Sequence, residues 1–440
     1  MSKLNKDILT IIFYEIFYEY DYNSLFSCLL VNKYWCETVI PILWRNPWRY
    51  QMKDYQKKSL FKFIITFLSD ESKEFLKNQN IMIPFKRKSK KKKLIFFDYL
   101  KYCKSMINYN LYDIINYNYN IIINNKNNNN NDNNNNNNNN NNLMNDYYRY
   151  ILQEEIYKLL IYKCPPLKYL DITFIQQQID LFPDSKDWLS EILELRCNGD
   201  IEPHYFQGLA KFSKNIEKII INSIRDDNYG LAKLIEVQKN LKYFKIIRDA
   251  DVDSRKDTFM TINHGLIKHT KSLIEFKAIF EGILFLPNLL PKMVNLRKLK
   301  LFVRELDQRY EDQLKISSYP NLEILHIKNI SINTLINLIE KTKGNLKEIW
   351  VDEYKLSDNI ERLIRIIYEN CSKLEILSII LYNHDFIEFE KLLHSCLYLK
   401  VLYIKVLSID GNEEEDRNIL SEILKDSAPI CLNNITFLEC

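Results

Sequence analysis

Glycine is scarce in this chain, with 7 among 440 residues. Gly-rich nucleotide-binding loops and folds made of many tight turns need backbone freedom that so few glycines do not supply. Histidine is scarce too, at 6. His204, His264, His269, His326, His384 and His394 show no H-E-x-x-H pattern and no Cys/His metal spacing. His264 and His269 stand five apart, off the spacing of one helical face, and read as structural. The 9 cysteines are odd in number, and none falls in a C-x-x-C pair. That excludes a disulfide framework or zinc ribbon and points to reduced thiols in the cytosol or nucleus. No uninterrupted apolar run reaches the roughly 20 residues a bilayer needs, so no membrane partner is expected. The apolar N-terminus is broken by Asp7, Glu15, Glu19 and Asp21 and has no cleavage-site pattern, which argues against a signal peptide. Net charge is +4, too mild to make nucleic acid the expected partner. No Ser or Cys sits in a recognisable nucleophile context. Asp249, Asp251 and Asp253 alternate like a calcium loop but lack its central Gly and terminal Glu, and read as a solvated loop. Glu413 to Asp416 reads as an acidic loop run ahead of a helix. The expectation is a non-enzyme with no cofactor and no metal.

What is present is a phrase, Leu-x-x-Leu-x-Ile, that returns from Pro166 onward. Its copies begin at Leu167, Ile216, Leu241, Leu273, Leu296, Leu322, Leu346, Leu374 and Leu399, with a weaker one at Leu432. A further copy lies around Ile192 to Leu195, read with its leading leucine displaced to Leu189. The period is roughly 23–33 residues. Each copy is too short to fold alone, and stacking makes one continuous apolar core. Between copies the pattern turns helical. Asp358-Asn359-Ile360-Glu361 and Asp385-Phe386-Ile387-Glu388 read as capping boxes, and helices end near Cys164, Cys371 and Cys396. This alternation resembles leucine-rich repeats, including variants with Cys before the strand. No regular Asn follows each strand, so the tight Asn-ladder type is not expected.

Neighbours on a strand point to opposite faces, so the residue between the last two apolar positions should face away from the helices. Down the array these are Asp171, Glu194, Ile220, Lys245, Lys277, Lys300, His326, Trp350, Ser378, Tyr403 and Thr436. Lys245, Lys277 and Lys300, with His326, Trp350 and Tyr403, make the candidate substrate-binding concave face. Lysines there would attract an acidic or phosphorylated segment, and an outward Trp marks a binding hot spot.

The first 48 residues form a dense aromatic helical block. Ile8, Ile12 and Ile16 recur at i, i+4, and Pro41 lies inside the third run, where a kink or break is expected. So many aromatics exceed what a small unit can bury, which implies a partner surface. The stretch Leu4-Asn5-Lys6-Asp7-Ile8-Leu9, then Leu30-Val31 to Trp35, then Leu43-Trp44, resembles an F-box, with Asn5 where Pro is usual. The resemblance implies that Leu4, Ile8, Leu9, Val31, Trp35, Leu43 and Trp44 are its core and docking residues. It also implies a Skp-type adaptor and, through it, a cullin scaffold as partners.

The fold expected is α/β: a leucine-rich-repeat solenoid, a curved parallel sheet with outer helices, preceded by a small all-α F-box. The F-box spans 1–48. Residues 49–123 form a helical linker or N-terminal cap, with a basic loop at 86–93 that reads as solvated rather than as a nuclear signal or nucleic-acid patch. Residues 124–146 are a disordered Asn-rich loop, having nothing apolar to offset the entropy of ordering. The solenoid spans 147–440. The function expected is the substrate-recognition subunit of an SCF-type ubiquitin ligase. The alternative is a stand-alone repeat scaffold.

Overall fold

The computed structural model describes residues 5–19, 21–48, 52–81, 98–127, 138–248, 259–280, 289–303, 308–351, 354–355, 360–408 and 413–438. Leu4, the basic run at 86–93, the Asp249–Asp253 alternation and Asp358 lie outside them. The chain divides into two compact units, 1–197 with 208–216, and 198–207 with 217–440.

The first unit opens with three helices, α1 (Lys6–Tyr18), α2 (Tyr22–Cys28) and α3 (Lys33–Leu43). Each starts on a side-chain cap. Asn5, Asp21 and Asn32 accept hydrogen bonds from the backbone N–H of Asp7, Ser24 and Trp35 at 3.2, 3.1 and 2.9 Å. Asn5, standing where the resembling family has Pro, is thus a working cap. The helix α3 runs through Pro41 unbroken, because a proline in the last turn forfeits only one intrahelical bond. Leu9, Phe13, Phe17, Leu25, Val39, Ile42 and Leu43 fill the interior.

Next come α4 (Asp54–Thr66), α5 (Asp70–Asn78), β1 (Ser105–Ile107), α6 (Asn108–Asn127) and α7 (Asn138–Lys163). The strand β1 carries no leucine phrase and was not visible in the sequence pattern. Helical backbone also extends into the span read as a disordered loop, at 124–127 and 138–146. Adding a residue to a helix already formed costs far less than nucleating one, so flanking helices propagate into asparagines. The unit continues with β2 (Tyr169–Asp171), α8 (Ser185–Leu189) and β3 (Glu194–Cys197). Its strands pair in parallel as β1-β2-β3. The three-helix block is tied to β1: the Trp48 indole donates to the Ser105 carbonyl at 2.7 Å, and Lys104 N–H donates to the Arg45 carbonyl at 3.0 Å.

After α9 (Pro203–Phe212), the second unit alternates strand and helix. It holds β4 (Lys218–Ile221), α10 (Tyr229–Glu236), β5 (Tyr243–Ile247), α11 (Met260–Ile267), β6 (Glu275–Phe280), β7 (Lys298–Val303) and α12 (Gln308–Ile316). Then follow β8 (Ile324–Ile327), β9 (Ile330–Ser331), α13 (Ile332–Glu340), β10 (Glu348–Val351), β11 (Tyr354–Lys355) and α14 (Ile360–Asn370). The unit closes with β12 (Ile376–Tyr382), α15 (Phe386–Ser395), β13 (Val401–Leu407), α16 (Glu413–Ser427) and β14 (Asn434–Phe437). The strands stand in sequence order, β4-β5-β6-β7-β8-β10-β12-β13-β14, and every pairing described is parallel. This is a leucine-rich-repeat fold. A parallel strand needs a crossover to return to the same edge, and helices provide most of these; between β6 and β7 the described residues hold a 3-10 turn, Leu290–Lys292.

The apolar positions of the phrase are the core. Leu299, Leu325, Ile349, Leu377 and Leu402 are fully buried. In the last copy Ile435 and Phe437 are 40% exposed. Packing between α10 and α11 depends on Gly265, where a Cβ would come within 2.8 Å of the Ala232 carbonyl. His269 is structural in this chain: its Nε2 meets the Ile235 carbonyl at 2.8 Å, and burial lowers its pKa. Cys371 and Cys396 sit directly after α14 and α15, and burial pushes both thiols up to about 12. Asp385 does not cap α15 as its sequence context predicts. A short 3-10 turn, Asn383–Asp385, precedes the helix and turns the carboxylate back, so Oδ2 accepts from Tyr382 N–H at 2.9 Å. The run Glu413–Asp416, read as loop, is the first turn of α16.

Candidate binding face

The strand pairings of the second unit set one row of side chains. Ile220 pairs with Lys245, Lys245 with Lys277, Lys277 with Lys300, and Lys300 with His326. The row continues from His326 to Trp350, Ser378, Tyr403 and Thr436. All six residues singled out from the sequence for substrate binding therefore share it. In the first unit the row differs. Asp171 pairs with Arg196, and Glu194 pairs with Tyr169. The phrase there is Ile192-x-x-Leu195-x-Cys197, with no displaced leucine, so Arg196 replaces Glu194 in the row. The adjacent Leu193 blurred that register.

Neighbouring parallel strands lie about 4.8 Å apart, close enough for large side chains to meet. The Trp350 and Tyr403 rings approach to 4.5 Å between centroids, although β12 runs between their strands. The residue that β12 places there is Ser378, which is small and 2% exposed. His326 lies 5.8 Å from Trp350 and 6.4 Å from Phe302, and the Lys277 ammonium stands 5.3 Å from the Phe302 ring centre. The result is an aromatic wall of Phe302, His326, Trp350 and Tyr403 with lysines at one end. Sequence reasoning missed Phe302, because it lies two residues beyond the position that defines the row.

The electrostatics of this face are those of partly buried like charges. Burial lowers the Lys300 pKa, with Lys277 and Lys298 acting the same way and Glu348 and Glu275 opposing. His326 Nε2 lies 2.6 Å from Glu348 Oε1, which fixes the ring against the wall. Lys298 and Glu275 stand 3.7 Å apart.

A second row runs just ahead of the same strands, one residue after each leading leucine. Its backbone groups form a ladder through Arg297, Glu323, Lys347, Glu375 and Lys400. These residues alternate in sign. Arg297 Nε meets Glu323 at 2.7 Å, Lys347 meets Glu323 at 3.4 Å, and Lys400 meets Glu375 at 2.6 Å. The Arg297 hydrogen bond is the chief reason the Glu323 carboxyl titrates below its ordinary value. Upstream, Lys242 and Glu217 repeat the pairing at 2.8 Å. The alternation was readable in the sequence once the phrase was aligned, and it went unread.

The residues of the N-terminal block divide by burial. Leu9 and Leu43 belong to the interior, so they hold the helices together rather than meet a partner. Trp35 and Trp44 are half-buried, Trp35 edge-on to Phe13 at 5.3 Å and Trp44 against Phe63 and Tyr99 at 5.1 and 4.9 Å. Ile8 and Val31 are exposed, together with Ile11, Ile12, Phe26 and Leu30. A groove of about 880 Å³ beside α2 and α3 is lined by Phe26, Ile40, Leu43, Trp44, Leu60 and Phe63, among others.

No helix among the described residues is long and apolar enough to cross a membrane. Among those residues no three His, Cys, Asp or Glu side chains are grouped to hold a metal. No protein-family model matches the sequence, and no curated protein matches it. Solved structures do. The leucine-rich repeat-containing protein LegL7 from Legionella pneumophila is similar over 64% of this chain and 87% of its own, with 11% identity and a TM-score of 0.31. A Bacteroides fragilis protein is similar over 56% of this chain and 66% of its own, just under two thirds, with 13% identity and a TM-score of 0.32.

Proposed function

We propose that the chain is a substrate-recognition subunit of an SCF-type ubiquitin ligase. In this reading the helices α1–α3 act as an F-box that docks a Skp-type adaptor, which bridges to a cullin scaffold. The observation that carries the reading is the exposed apolar set Ile8, Ile12, Phe26, Leu30 and Val31 on helices whose own core is already filled. Leu30 is 87% exposed and Val31 56%. Exposed apolar side chains in this number on a small helical unit support an interaction site.

The second unit supplies recognition. Lys277 and Lys300 attract an acidic or phosphorylated segment of the recruited protein, and the wall of Trp350 and Tyr403 takes an apolar or aromatic side chain of it. Ligation chemistry belongs to other subunits. This chain raises the effective concentration of the substrate near the activated ubiquitin.

The test is co-purification of the intact chain with a Skp-type adaptor, beside Leu30→Asp and Val31→Asp. Both sites are exposed, so the variants should fold. Adaptor retained by the parent and lost by both variants supports the reading. No adaptor with the intact, folded parent refutes it. One observation favours the alternative of a stand-alone scaffold: Trp48 and Arg45 bind the block to β1, as a cap on the repeats would.

A further inference from the structure

The lysines and the aromatic rings of the row stand on different strands of one register, which fixes how far apart a ligand must carry its two contacts. Lys277 pairs with Lys300, so two ammonium-bearing side chains sit on neighbouring strands, about 4.8 Å apart. The two flanks of this pair differ. Two residues further along the strands, Ile247, Ile279 and Phe302 pair in register as a half-buried apolar strip. The Lys277 ammonium lies over that strip, 5.3 Å from the Phe302 ring centre. Two residues earlier, Glu275, Lys298 and Glu348 share one level of the same face. Both carboxylates have partners of their own, Glu275 with Lys298 at 3.7 Å and Glu348 with His326 at 2.6 Å.

A single phosphate suits the lysine pair better than a carboxylate does. It has enough oxygens to accept from both ammonium groups at once, and Lys300 is already held below its ordinary pKa by burial, with Lys277 adding to the effect. The apolar strip lowers the local dielectric and strengthens such a contact. A chain of phosphates suits the face poorly, because Glu275 and Glu348 repel charge that continues along their flank. At the other end of the row, Trp350 and Tyr403 meet over Ser378 and offer one broad apolar contact. From the middle of the lysine pair to Ser378, across the strand order, is about 17 Å at the usual strand spacing. An extended chain covers that distance in about five residues.

We propose that the row selects an extended segment of a partner protein that carries a phosphorylated side chain about five residues from an aromatic one. The proposal rests on the reading of this row as the recognition surface, and it adds the chemistry and the spacing of what is recognised.

The experiment measures binding of the full chain to labelled Gly/Ser peptides by fluorescence anisotropy. Each peptide carries one phosphoserine and one phenylalanine, in both orders, separated by two, five or eight positions. The five-position peptide should bind at least about tenfold more tightly than the other two, and removing its phosphate should weaken it by a similar factor. Lys277→Ala with Lys300→Ala should abolish the gain from phosphate and keep the gain from phenylalanine. Trp350→Ala should do the reverse, and each retained gain shows that the variant is folded. Equal binding at all three separations overturns the proposal, as does equal binding of the unphosphorylated peptide or of one with aspartate in place of phosphoserine. Tighter binding of an oligothymidylate overturns the protein source. Adaptor co-purification should be unchanged in these variants, so failure of this proposal and failure of the ligase reading appear in separate assays.

Discussion

Two rows of side chains, one on the strands and one at the residues that lead into them, stand three residues apart and treat charge in opposite ways. The row through Arg297, Glu323, Lys347, Glu375 and Lys400 alternates in sign and is largely neutralised within the fold. The row through Lys245, Lys277 and Lys300 places like charges on neighbouring strands, then changes to His326 and Trp350. A self-neutralised row fixes register and offers little to a ligand. A like-charged row is held at some expense, and that expense falls when an anion is bound. The self-neutralised row and the row proposed for recognition thus stand three residues apart along the same stretches of chain.

Several substitutions would sharpen or break this contrast. The largest effect belongs to neither row. Leu299→Ala, in the core beneath both, should cost about 2–5 kcal/mol in urea unfolding. Reversing the lysine row with Lys277→Glu and Lys300→Glu together should weaken capture of an acidic segment by about 100-fold, while the melting temperature barely moves. Survival of capture would remove that row from recognition. Trp350→Ala should weaken capture by about tenfold. The pH dependence is a finer test. Lys300 titrates below the ordinary 10.5 because burial disfavours its charge. As pH rises toward 10.5, the folded chain therefore loses this proton before the unfolded chain does. Stability from this group rises through that window, while the positive charge, and capture with it, falls. Lys300→Arg, which stays charged, should flatten the fall. The smallest effect is in the alternating row. Glu323→Ala should cost under about 1 kcal/mol and leave capture intact.

Much of this was legible beforehand. The leucine phrase specifies strand, burial and stacking at once, because alternation in a strand ties each apolar position to one face. Lys277, Lys300, His326, Trp350 and Tyr403 were therefore placed in one row from spacing alone. What escaped lacked that redundancy. The strand β1 has only Ser105, Met106 and Ile107 and gains its place from its pairing with β2. Glu194 was misplaced because Leu193 beside it mimics a core position. Phe302 matters through neighbours on other strands, as does the small size of Ser378, whose place in the row was read from spacing, and no local pattern encodes either effect. The division of the N-terminal residues into core (Leu9, Leu43) and surface (Ile8, Val31) is likewise tertiary, since all four are apolar and helical or near a helix end.

Ser378 carries a consequence of its own. Trp350 and Tyr403 touch because the strand between them contributes almost no side chain at that level. The reach of the aromatic wall is thus set by a spacer that no ligand need contact. A bulkier residue at 378 would split the wall into two separate patches. Ligand preference in such an array can shift through a single silent position, with every contacting residue left in place.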